Sequence, residues 1–114
     1  MSVQRKSLVC WFVTLSIVSA SLPALAYDWS VIGTQVVSVE STYMPDRISF
    51  KVRSAPGNCA GQWLIWNGKG ATAADRQANA KATFALLLAA KVSQTTVNIF
   101  GNNAGCTIDF IHLE

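Results

Sequence analysis

Residues 71–92 read ATAADRQANAKATFALLLAAKV. This is the one long helix-forming stretch in a chain otherwise punctuated by turn residues, so its place among the strands decides the fold. Thr72 with Asp75 three residues later has the form of an N-cap threonine followed by an acid, in the manner of a capping box. Further on, ATFALLLAA at 82–90 holds a single polar side chain, Thr83. Projected at about 100° per residue, Ala74, Ala78, Ala82, Ala85, Ala89 and Val92 make one stripe, flanked by Leu86 and Leu88. Ala80, Phe84 and Leu87 lie nearly opposite, interrupted by Lys91. One stripe is expected on a sheet. If that is the alanine stripe, Ala80, Phe84 and Leu87 become a candidate contact between subunits, because a monomer would leave two large side chains wet. Long loops folded over them are the other possibility.

Working outward, the segment 31–39 mixes β-branched residues with Ser, Gln and Thr and reads as a long first strand. STYMPD at 41–46 turns the chain. RISFKVR at 47–53 alternates strictly: Ile48, Phe50 and Val52 face one way, Arg47, Ser49, Lys51 and Arg53 the other. That is a half-buried antiparallel strand. After a loop, QWLIWN at 62–67 is a third strand. On the far side of the helix, 95–100 and 106–113 are two more strands, joined by GNNAG.

Three strands, one helix and two strands give an α+β, mainly β domain. The order matches a five-stranded Greek-key barrel of the OB type, whose helix lies between strands three and four. A plain sheet with one helix across it gives the same order. A closed barrel is the expectation, because closure removes exposed strand edges in a small domain.

The start of the chain has a different character. Arg5 and Lys6 precede a mostly apolar run at 7–22, and Pro23 stands before Ala24-Leu25-Ala26. Residues 1–26 read as a secretory signal peptide cut between Ala26 and Tyr27, leaving a single domain at 27–114 that is exported to the periplasm or secreted. The run falls short of the ~20 apolar residues that a stable membrane anchor needs. Cys10 leaves with the leader.

The exported part carries seven basic and six acidic residues, a net charge of +1. Bulk charge gives no reason to expect attraction to nucleic acid. Cys59 and Cys106 are an even pair in a chain bound for an oxidising compartment, and are expected to form a disulfide. Two cysteines with His112 offer too few ligands for a metal, and no cofactor motif appears. GKG at 68–70 lacks the glycine spacing and the Lys-Ser/Thr pair of a phosphate loop. No carboxylate pair forms a recognisable motif, and Asp75 serves the helix cap. His112, at a strand end, shares strand parity with Cys106, Ile108 and Phe110. No enzyme is expected.

The tryptophans suggest binding instead. Trp63 and Trp66 have opposite parity on one strand, so one enters the core and the other points outward or into a subunit contact. Trp66 is the candidate for the outer position, beside the polar Asn67 and Lys69, where a sugar ring could stack on the indole.

The run ATFALLLAAKVSQTTVNIFGNNAGCTIDFIHLE at 82–114 resembles the helix and last two strands of small exported proteins related to the B subunits of AB5 toxins, the subtilase-cytotoxin type in particular. The resemblance covers about 59–113. It rests on the Ala/Leu-rich helix, the strand with Val97 and Ile99, and the Cys106 strand ending Ile111-His112-Leu113. It implies an OB-fold protomer, a homo-oligomeric ring of five, a surface for cell-surface glycans often ending in sialic acid, and a catalytic A chain as partner. It carries no sugar-contacting residue over to this chain. The expected function is a secreted, non-enzymatic glycan-binding module. The alternative is a periplasmic inhibitor or accessory protein that binds another protein and no glycan.

Overall fold

The structure, a computed structural model, describes residues 27–114. The proposed leader, with Ala26 on one side of its cleavage point, lies outside the described residues; Tyr27 is the first residue inside them. The elements are β1 (Trp29–Thr34), β2 (Val36–Glu40), β3 (Arg47–Val52), β4 (Leu64–Asn67), α1 (Ala73–Ser93), β5 (Val97–Gly101) and β6 (Ile108–Leu113). Two short 3-10 turns, Gly57–Cys59 and Ala104–Cys106, precede β4 and β6. The domain is mainly β, with one helix at the expected place in the strand order.

The closed five-stranded barrel is not what forms. Six strands make two three-stranded antiparallel sheets, ordered β1-β5-β6 and β2-β3-β4. The reason lies in the first strand, which breaks at Gln35. β1 holds one extra residue against β5, between Val31 and Thr34, and β2 one extra against β3, between Val36 and Ser38. Each bulge bends the chain and increases its twist. At the first, Gly33 takes a φ of +71°, and its N–H donates to Asn98 Oδ1 at 2.9 Å rather than to the ladder. The two halves of the strand are thereby sent to different sheets.

On this side the two sheets are joined by that bend. On the other they meet at the Cys59–Cys106 disulfide and at one parallel bridge, Ile65 to Thr107. A single bridge is too little to close a ladder. The disulfide fastens the turn before β4 to the turn before β6, and closing a loop with a separation of 47 residues stabilises the fold by about 4 kcal/mol on the chain-entropy model.

The core lies between the sheets. Ile48, Phe50 and Val52 face into it as the alternation of β3 requires, and meet Leu64, Val97, Ile99 and Ile108. The cap of α1 also forms, with Thr72 Oγ1 accepting from the Asp75 N–H at 3.1 Å.

The helix faces are reversed from the expectation. Ala80, Thr83, Leu87 and Ala90 are the buried residues of α1, and Phe84 is half-buried against the same core. Ala80, Phe84 and Leu87 therefore help to build the inside of one chain, not a contact between chains. The alanines at 74, 78, 82, 85 and 89 face outward with Leu88 and Val92. Burial follows apolar area, and Leu87 with Phe84 offers far more of it than a row of methyl groups. Among the described residues no helix is long and apolar enough to cross a membrane.

Candidate functional site

Trp66 ends its run in β4 with its ring turned inward, only 7% exposed, in the same parity as Leu64. The exposed member of the pair is Trp63, at 41%, just before the ladder begins. The expectation that Trp66 would be the outer indole is thus corrected. Its cover comes from α1: the Trp66 Nε1–H donates to Asn79 Oδ1 at 3.1 Å, and the Lys69 N–H donates to the same oxygen at 2.9 Å. Gly68 makes this approach possible. A Cβ there would fall on the backbone carbonyl of Arg76, so only glycine lets the loop lie against the first turn of α1.

One edge of Trp66 still reaches the surface. It lines a shallow cleft of about 410 Å³ with Lys69, Asn79, Asp109 and Phe110. The Lys69 ammonium lies 5.1 Å from the centre of the Trp66 ring and 3.9 Å from Asp109 Oδ1. Asp109 Oδ2 accepts from Asn102 Nδ2 at 3.0 Å. Asn79 spends its oxygen on two donors within the fold, which leaves its Nδ2 hydrogens without a partner among the described residues. Trp66 and Lys69 are therefore brought together, whereas Asn67 is not. It points to the opposite side, into a separate cleft with Asp46, Gly68, Ala73, Arg76 and Gln77.

Phe110 carries the surface on from the cleft to an aromatic face. In the β5–β6 ladder Phe100 stands opposite Phe110, and Asn98 opposite His112. The Phe100 and Phe110 rings are 6.2 Å apart, edge to face. Tyr27 meets them at 5.0 and 6.4 Å, and His112 lies 5.3 Å from Phe100. These four rings line a shallow depression of about 250 Å³, and Phe110 is 45% exposed. No cation lies over any of the four among the described residues.

A bulge in β6 makes this face. Phe110 pairs with Phe100 but Ile108 with Gly101, so β6 holds one extra residue at Asp109. Ile108 and Ile111 consequently turn inward while Phe110 and His112 turn out. His112 thus shares a face with Phe110 but not with Ile108, and Cys106 lies outside the strand. Simple parity misses this. The clue available in the sequence is the GNNAG loop: a hairpin centred on Gly105 pairs Phe100 with Phe110 and Asn98 with His112.

Among the described residues no group of three or more His, Cys, Asp or Glu is placed to hold a metal ion. The cleft presents the Asn79 Nδ2 hydrogens as donors, beside a Lys69–Asp109 pair in which Asp109 also accepts from Asn102. The bare rings beside them offer a flat apolar surface. Comparisons with protein-family models, with curated proteins and with solved structures found no match to this chain.

Proposed function

We infer that this protein is an exported, non-enzymatic binding module that holds a sugar on the aromatic face around Phe110. One observation carries the reading: a cluster of four rings without a cation over them, Phe110 and His112 exposed, adjoins a cleft in which the Asn79 Nδ2 hydrogens have no partner among the described residues. A pyranose stacks C–H groups on an aromatic face while hydrogen bonds fix its rim. Lys69 and Asp109 offset each other's charge, so the cleft offers no surplus cation to an acidic sugar. This favours a neutral glycan over the sialic acid that the resemblance implies.

The resemblance to AB5 B subunits also implies a ring of copies and a catalytic A chain, and both belong to this proposal. An opened relative of the OB fold is supported by three features. The first strand is split between two sheets, the helix stands between β4 and β5, and a parallel bridge links β4 to Thr107, just before β6.

Screening the purified protein on a glycan array tests the reading. Phe110→Ala should lower the strongest neutral-glycan signal by roughly tenfold, the order of one lost stacking contact. Its melting temperature should stay close to that of the parent. An array with no bound glycan would remove the reading.

A second reading, contact with a protein partner and no glycan, is favoured by the outward face of α1, where Val92 is 85% exposed beside Leu88 and the alanines. On this reading self-association is assigned to this face, because Leu87 is fully buried within one chain. If it occurs there, sedimentation should show an oligomer that Val92→Lys dissociates without loss of fold.

A further inference from the structure

We propose that the outer face of β2-β3-β4 binds an anionic polysaccharide, at a site separate from the aromatic face. The inward turn of Ile48, Phe50 and Val52 sends Arg47 and Lys51 outward from β3, with Arg53 immediately beyond its end. At about 3.3 Å per residue, Lys51 stands about 13 Å from Arg47 along the strand and about 7 Å from Arg53. None of the three has a carboxylate within 4.0 Å; the one ion pair among the described residues is Lys69–Asp109.

Two aromatic rings hold these cations without neutralising them. The Arg47 guanidinium lies 4.4 Å from the centre of the Tyr43 ring, and the Lys51 ammonium 4.7 Å from that of Trp63. Arg47 is exposed and Lys51 half-buried, and neither meets a carboxylate within 4.0 Å, so their charge is available to a ligand. Arg53 lines a shallow cleft of about 210 Å³ with Lys91, Gln35 and Gln94, and no acid is among its lining residues. The cations thus form a line from the Tyr43 turn to the end of α1. Acids near it are Glu40, across the ladder from Ser49, whose Oε1 accepts from Thr42 Oγ1 at 2.9 Å, and Asp46 in the preceding turn.

A row of separated cations without carboxylate partners suits a chain of separated anions. Polysaccharide fits better than nucleic acid because bases bind by stacking on open rings, and here each ring is covered by its own cation. The disulfide is compatible with an oxidising compartment, where such polymers are met.

The test uses heparin as the anionic probe, neutral dextran as its control and a single-stranded DNA oligomer as competitor. Heparin should bind, dextran should not reach this face, and rising salt should weaken binding steeply. Lys51→Gln with Arg53→Gln should lower heparin affinity roughly fivefold, the order that two exposed ion pairs contribute. Arg76→Gln with Lys81→Gln, which removes the same charge elsewhere, should change it less than about twofold. Circular dichroism on both variants separates lost binding from lost fold, and Arg53→Lys, which keeps the charge, should bind as the parent does. No heparin binding, equal losses in the two double variants, or DNA displacing heparin at lower charge equivalents than heparin itself would each overturn the proposal.

Discussion

The two sheets have the same plan and opposite outer surfaces. Each is three antiparallel strands with an apolar inner face. Outside β1-β5-β6, four rings, two exposed and two half-buried, have no cation over them and stand next to a cleft where Lys69 and Asp109 offset each other. Outside β2-β3-β4, each exposed ring lies beneath a cation, and those cations have no acid partner. An open ring can stack; a covered ring positions a charge. One small domain can therefore show a neutral and a charged ligand two separate surfaces, and the difference rests on which residue sits over each aromatic ring.

The strongest way to break the comparison is to remove what fixes the sheets to each other on their open side. Replacing both Cys59 and Cys106 by Ala should cost about 4 kcal/mol in chemical denaturation, a large share of a small domain's stability. Both binding faces should then fail together on warming. A loss below about 1 kcal/mol would mean that the β4–β6 side holds without the covalent link.

A smaller change should separate the faces. At Gly101 a Cβ would meet the Trp29 ring at 2.6 Å and Ile108 Cδ1 at 2.7 Å, both within the β1-β5-β6 sheet. Gly101→Ala should cost roughly 1–3 kcal/mol by overpacking and disturb the aromatic face while sparing heparin binding. Equal damage to both faces would show that they are mechanically one unit. Smallest of all, Trp63→Ala should change stability by less than about 1 kcal/mol, since the ring is largely at the surface. Its effect should be confined to the cationic face, where freeing Lys51 weakens heparin slightly and leaves neutral glycan binding unchanged.

Which parts of this were legible in the sequence follows from how local their causes are. The inward Ile48, Phe50 and Val52 of β3, the Thr72 cap and the cysteine pair depend on residues close in sequence or on simple redox chemistry, and each is found as read; Ser49, read on the wet face of β3, is instead buried. The split of the first strand depends on Gly33 taking a positive φ and on bulges set by partners far along the chain. The helix face was legible only by weighing area: counting alanines favours the wrong side, and Leu87 with Phe84 decides the right one. Trp66 looks exposed until Asn79 of α1 reaches its indole. The aromatic face needs the Phe100–Phe110 pairing together with the β6 bulge, which strand parity alone cannot supply.

The central claim is that the aromatic face around Phe110 holds a neutral sugar and performs no chemistry. Titrating isotopically labelled protein with the neutral glycan that binds best, followed by amide and side-chain NMR shifts, tests it directly. Shifts should concentrate at Phe100, Phe110, His112 and the Asn79 side-chain amide, leave Ser38, Ser49 and Lys51 in place, and recover an unchanged glycan at the end. Shifts confined to β2-β3-β4, a cleaved glycan, or no shift with any glycan would contradict the account.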